Sequence, residues 1–278
     1  MKKAWLLNLL MLCIVAALAS VIYFSEEKAN TNRAATLTDI DSRAVKSIRI
    51  EHNGHVTRLQ KHDGKWRLTE PVAIAANDFR IKTILQLLEA PVRRQYALGD
   101  LDAGRIGLQT GPEKPVTRVA FDNIELVFGI INPATNLRYI RIDNRVYAIE
   151  DVYYPLLTSH FGSLVSLKLM PEAADLQKLA LLNQTLEKDS HGNWQSSRQL
   201  DGDRIIQIID RWQSAQAFGI HAYMPRRQLG EISIHLRKGP AIHFTVTDTE
   251  PWVILARPDL GLEYHLEREA YDNLLAPQ

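Results

Sequence analysis

The chain repeats itself, and this constrains its fold more than any other feature. The stretch VYAIEDVYYPLL, Val146 to Leu157, returns without a gap as EYHLEREAYDNL, Glu263 to Leu274. Tyr147 falls on Tyr264, Ile149 on Leu266, Glu150 on Glu267, Tyr154 on Tyr271 and Leu157 on Leu274. Each copy reads as a final strand followed by a short helix that packs Tyr and Leu onto a sheet. Self-similarity at this distance is the mark of a duplicated unit.

The segments upstream repeat as well. Alternating apolar and polar residues in VKSIRI and HVTRLQ are the period of half-buried strands. The Asn53-Gly54 and Asp63-Gly64 turns between these runs and KWRLTEP predict a three-stranded meander. An amphipathic helix follows, with Asp78 as its cap and Phe79, Ile81, Ile84, Leu85 and Leu88 as its apolar positions. Beyond a Gly-rich loop, VTRVAF, IELVF, LRYIRI and RVYAI predict four more strands. The second half replays this order: strands at Leu176–Leu182 and in QTLEKD, a turn into Trp194, and a helix carrying Ile205, Ile206, Ile208 and Ile209. EISIHL, AIHFTV, WVILAR and LEYHL then precede the closing helix. Trp66 and Trp194 lie 128 positions apart, and Tyr147 and Tyr264 lie 117 apart. The second copy has therefore lost residues in between, where it faces the loop Gly99–Pro115 and deletion is cheapest. The expected fold is α+β: two tandem modules of mainly antiparallel sheet, 41–160 and 161–278, each with one amphipathic helix and one short closing helix.

Ahead of the modules, Lys2 and Lys3 precede a run from Trp5 to Phe24 with no charge. About 20 residues at roughly 1.5 Å rise cover the hydrocarbon core of a bilayer. Trp5, Tyr23 and Phe24 sit where amphipathic rings meet the two interfaces. The expectation is a single-pass anchor at 1–24 in a bacterial inner membrane, its N-terminus cytoplasmic and its C-terminal part periplasmic. A polar tether at 25–40 follows. Signal cleavage after Ala17-Leu18-Ala19 is the alternative. Asn8, with Ala16, Ala17 and Ser20 allowing close approach, is the expected contact with another membrane helix.

Composition excludes some classes. A net charge of +1, from 33 basic and 32 acidic residues, supplies no footprint for nucleic acid. One cysteine, Cys13, permits neither an internal disulfide nor a cysteine-based zinc cluster. No nucleophile elbow, phosphate loop or dinucleotide fingerprint is present, so no cofactor is expected. His52 and His55 flank a turn. His235, His243 and His265 alternate with apolar residues on separate strands, which places them on the solvated face. Glu150-Asp151 and Glu267 suit the first turns of the closing helices.

The sharper candidate is an interface. Tyr139, Tyr147, Tyr153 and Phe161 interleave with Arg138, Arg141 and Arg145, and Tyr and Arg are enriched where proteins meet.

One resemblance follows from these residues. The order Gly-x-Trp in GKWRLTEP, an Asp-led helix, Arg105-Ile106-Gly107-Leu108 with a later proline, and a sheet ending YIRIDNRVYAI resembles a bacterial family of domains of unknown function. It covers Val45 to Leu275, and the second copy lacks a counterpart of Arg105–Leu108. Members of that family resemble extracytoplasmic domains, some encoded beside or fused to gliding-motility-type ABC transporter components. The resemblance implies an accessory role at a membrane and no catalytic residue. The chain is therefore expected to be a non-enzymatic accessory or scaffold subunit. Its partners would be the lipid bilayer and other membrane subunits, ABC transporter components among them. A ligand-binding domain for an envelope glycan or lipid, in a cleft between the modules, is the alternative.

Overall fold

The computed structural model describes residues 35–109 and 116–277, together with Met11 and Val15. The apolar run Trp5–Phe24, with Asn8, Ala16, Ala17 and Ser20, otherwise lies outside the described residues. Among the described residues no helix is long and apolar enough to cross a membrane.

Among the described residues, seventeen strands form two antiparallel sheets. The first half contains β1 (Ser47–His52), β2 (His55–His62), β3 (Lys65–Glu70), β4 (Ile74–Ala75), β5 (Arg94–Ala97), β6 (Thr117–Phe121), β7 (Ile124–Ile131), β8 (Leu137–Ile142) and β9 (Arg145–Glu150). The second contains β10 (Leu176–Ala180), β11 (Thr185–Lys188), β12 (Trp194–Ser196), β13 (Gly219–Ala222), β14 (Gly230–Leu236), β15 (Ile242–Asp248), β16 (Val253–Arg257) and β17 (Leu262–Leu266). Their spatial orders are β4-β3-β2-β1-β6-β7-β8-β9-β5 and β12-β11-β10-β14-β15-β16-β17-β13. Apart from β4, the two orders are the same, consistent with two tandem modules. Register agrees: Lys61 faces Trp66 as Lys188 faces Trp194, and Ile140 faces Tyr147 as Leu255 faces Tyr264.

Each half carries one amphipathic helix, α1 (Asp78–Leu85) and later α3 (Gly202–Ser214), entered by equivalent caps. Asn77 accepts from the Arg80 N–H and Asp201 from the Arg204 N–H. The first cap is thus Asn77 and not Asp78, because its extended backbone aims the side-chain oxygen at the free amide. Ile81 and Ile84 of α1 are buried, as are Ile205, Ile208, Ile209 and Trp212 of α3. Phe79, expected on the apolar stripe, is 74% exposed. It sits two residues before Ile81, on the opposite side of a helix with about 100° per residue. Helix α2 (Tyr154–Thr158) and a π-type turn (Tyr271–Leu275) close the two halves.

Sequence reading missed β5 and β13. After its helix the chain crosses to the far edge of the sheet and pairs with the last strand, β5 on β9 and β13 on β17. The packed chain also begins inside the expected tether: Leu37 is buried, and Thr36 pairs with Pro91. Lys168 pairs with Gln216 at the equivalent place in the second half. One contiguous apolar core takes residues from both sheets.

The halves are joined by a strap. A 3-10 turn (Phe161–Leu164) packs against β13, and Val165 pairs with Ala76. The Asn77 N–H donates to the Leu164 carbonyl and the Ser166 N–H to that of Ala75. Further along, the Leu169 N–H donates to Ala215 and the Ala217 N–H to Leu167. The strap therefore hydrogen-bonds to one half and then to the other. Glu172 adds exposed ion pairs to Lys65 and Lys168, which hold its carboxyl down to about 2, the hydrogen bond from Lys168 most of all.

Candidate functional site

Strand alternation sends Ile220, Leu262, Tyr264 and Leu266 into the core. Burial pushes the Tyr264 hydroxyl up to about 12, in keeping with a core anchor. The intervening residues, His221, Glu263 and His265, must then face outward. In a sheet with one solvated face this is where polar groups belong. Glu263 is nonetheless 0% exposed. The segment 223–229 leaves β13, crosses the outer face and enters β14, and it brings Arg226 down onto the carboxylate. Arg226 donates through Nη1 to Glu263 Oε2 at 2.7 Å and through Nη2 to Oε1 at 3.2 Å. The Met224 N–H donates to Oε2 at 3.1 Å, and His265 Nε2 lies 2.9 Å from Oε1. A carboxylate only accepts, so Nε2 carries the proton in that bond.

Electrostatics follow from this contact set. Loss of solvation pushes the Glu263 carboxyl up. The hydrogen bonds from Arg226, His265 and the Met224 N–H, with the charge of Arg226, outweigh that and hold it below its ordinary value. Desolvation pulls His221 down, and so does the charge of His265, against the opposing pull of Glu263. His221 and His265 have ring centroids 4.5 Å apart.

Beside this network lies an aromatic cluster. Phe218 is 48% exposed and Trp252 46%. Their centroids are 5.7 Å apart, and those of Phe218 and Trp252 lie 6.2 and 6.3 Å from His265. Rings this close fill the space between them, so the cluster is a continuous aromatic surface and not a cage. It sits over a rigid base, because both oxygens of Glu263 are saturated.

The first half builds the same covered face with opposite chemistry. Val146 stands at the register position of Glu263, Ala148 at that of His265 and Tyr96 at that of His221. The segment 98–109 occupies the place of 223–229, and its Ile106 and Leu108 pack on Val127, Tyr139, Val146 and Ala148. Gly129 lets the Ile106 backbone lie against β7: a Cβ there would collide with the Ile106 carbonyl oxygen.

The expected interface residues do not share one surface. Arg138, Arg145 and Tyr147 project from the core side of the first sheet, whereas Tyr139 and Arg141 project from the other. Arg138 is buried. It pairs with Asp151 through Nε at 2.6 Å and Nη2 at 2.9 Å, donates to the Gly129 carbonyl, and lies 3.5 Å over the Tyr154 ring. Asp151 is thus the partner of a buried cation and not a helix-dipole charge. Tyr139 is buried, its hydroxyl accepting from Asn132. Tyr147 and Tyr153 pack on the core, and the Tyr153 hydroxyl donates to the Gln86 carbonyl. Phe161 lies in the strap against His160. Arg145 is exposed and Arg141 half-buried.

The histidines divide similarly. His235 and His243 face each other at 6.3 Å on the outer face, but β16 separates them from His265. His52 hydrogen-bonds Thr117 at 2.7 Å. Among the described residues no three His, Asp or Glu side chains are arranged to hold a metal ion. A shallow groove between α3 and the closing turn, lined by Arg211, Ser214, Leu266, Glu267, Ala270 and Asn273, belongs to the second half alone.

Sequence reasoning placed His265 outward but missed Glu263, Arg226, Phe218 and Trp252 as a group. The signal was present in a glutamate standing where the first copy has valine.

The fold defines a two-sheet, antiparallel repeat protein. The chain belongs to the family described as a domain of unknown function, DUF4340, whose model matches residues 66–231. That match begins at Trp66 in β3 and ends in β14, so it spans the strap and takes part of each sheet. No curated protein and no solved structure matches the chain.

Proposed function

We propose that the chain is a non-enzymatic docking subunit of a bacterial inner-membrane complex. Residues 5–24 anchor it, and its folded part stands on the periplasmic side. The observation that carries this reading is the half-exposed Phe218–Trp252 cluster. Large aromatic side chains left half-exposed on a rigid sheet face are the composition of an interface centre. The polar network beneath supports the same reading, since a carboxylate with both oxygens committed holds a surface in shape and has no lone pair left for proton transfer. The partner is a membrane-embedded subunit, because the apolar N-terminal run keeps the domain next to the bilayer. ABC transporter components are the kind that the family resemblance implies. A ligand cleft between the halves has less support, because Leu164 and Val165 of the strap are buried there and hydrogen-bonded.

The test is extraction of the full chain in mild detergent, with quantitation of what co-purifies, beside the variants W252A and F218A. One membrane protein in fixed stoichiometry, lost from both variants at unchanged melting temperature, is the expected result. A solitary wild-type protein, or a partner retained in both variants, refutes the proposal.

A further inference from the structure

The strap between the halves begins at a histidine whose ring nitrogen accepts a hydrogen bond. The Gly162 N–H donates to His160 Nδ1 at 3.1 Å, capping the 3-10 turn Phe161–Leu164. That turn lies on β13 with no room to spare: a Cβ on Gly162 would come within 3.1 Å of Leu262 Cδ2 and 3.2 Å of the Ile220 carbonyl oxygen. Directly after it come the backbone bonds from the Asn77 N–H to the Leu164 carbonyl and from the Ser166 N–H to that of Ala75, then those between 167–169 and 215–217. The cap therefore stands at the head of a segment that bonds to both halves.

An imidazolium has two N–H groups and no acceptor. Protonation at Nδ1 removes the cap and turns a donor towards the Gly162 N–H. The neighbours make the ring sensitive. Desolvation is the largest influence against a positive charge on His160, and the charges of His221 on β13 and of His55 at the start of β2 oppose it as well. His55 likewise opposes charge on His52, whose ring is held by Thr117 and Asn53. Beyond His221 lie His265 and Glu263. Glu263 is the carboxylate of this cluster, and it is taken up by Arg226 and His265. Histidines from both halves thus act on the charge of His160, and the one carboxylate named among them is already committed. His160 is itself exposed, so it exchanges protons with solvent.

We infer that the His160 cap is a pH-operated latch: neutral His160 caps the strap's 3-10 turn where it lies on β13, and protonation removes the cap and loosens the strap there. The sign follows from linkage. A base whose ionisation is disfavoured by the folded state leaves the latch intact above about pH 6.5, and the penalty grows as pH falls below that value.

Hydrogen exchange of the full chain at pH 7.5 and 5.0, corrected for the intrinsic pH dependence of amide exchange, reads the latch directly. At pH 5.0, peptides covering 161–169 and 217–222 should exchange about fivefold faster, the factor that one lost cap hydrogen bond carries. Peptides from β7 and β8 should not change. His160→Gln and His160→Asn keep an acceptor oxygen and cannot titrate, so both should exchange alike at the two pH values. His221→Gln should move the transition to higher pH. The inference is overturned if wild-type protection at 161–169 is the same at both pH values, or if the acid-induced loss persists in the variants at position 160.

Discussion

Removing Arg226 tests the account of the covered face most directly. Its guanidinium supplies two of the four hydrogen bonds to a carboxylate that is 0% exposed. In Arg226→Ala the Met224 N–H and His265 remain, and Glu263 keeps a buried negative charge without a compensating cation. Stripping one partner from a buried pair costs about 3–5 kcal/mol. Here the carboxylate lies one loop deep and the Arg226 side chain is 26% exposed, so water can enter the vacated space. That discount leaves roughly 2–3 kcal/mol. The first half supplies the control, because its position equivalent to Glu263 is the buried Val146 under an apolar cover. Glu263→Val removes the charge and frees Arg226 to turn to solvent, and should cost under about 1 kcal/mol. The double variant Arg226→Ala/Glu263→Val should recover most of the loss seen with Arg226→Ala. Urea unfolding followed by circular dichroism and tryptophan fluorescence measures all three. The shared core predicts one transition, which licenses the comparison. A wild-type-like Arg226→Ala, within about 0.5 kcal/mol, would refute the reasoning. So would a Glu263→Val variant as unstable as Arg226→Ala.

Other perturbations read other parts of the molecule. Gly129→Ala should destabilise by about 1–3 kcal/mol, because the obstructing atom is backbone and cannot rotate away; a neutral result in chemical denaturation would show that segment 98–109 is not seated as described. Trp252→Ala and Phe218→Ala should change stability by no more than about 0.5 kcal/mol, since both side chains are half in water; a large drop in melting temperature would make them core residues. The pH dependence should have two stages in scanning calorimetry. His52, His160 and His221 are all held below 6.5, so stability is full above that value and declines as pH falls beneath it. Glu263 and Asp122 are held below their ordinary values, so what they contribute persists to about pH 4 and is lost only under it. A melting temperature constant from pH 7.5 to 5 would contradict the first stage.

Much of the local architecture was legible because local forces set it. Asn53-Gly54 and Asp63-Gly64 form the tight turns that they announce, with positive φ at all four residues. Strands β1 and β3 follow the period-2 pattern, and the buried stripe of α3 follows the helical one. The candidate interface failed for a physical reason. Arg138 and Tyr139 are neighbours in sequence, so a pleated strand must send them to opposite faces, and what covers each face is non-local. Arg138 met Asp151 and the Tyr154 ring under the closing helix, whereas Tyr139 met Ile106 under the long loop.

The sequence by itself determined that the chain builds mainly antiparallel sheet with few helices, in an order consistent with two modules, where its tight turns fall, and which side of many strands is apolar. These follow from backbone chemistry and from periodicity, which act over a few residues. Only the tertiary structure decided that β5 and β13 cross to the far edges, and that one strap serves both halves. It also brought Glu263, Arg226, His265, Phe218 and Trp252 together from four separate segments. Each of these is a contact between residues tens of positions apart. It is set by which surfaces the packed sheets leave uncovered, and no local pattern encodes that.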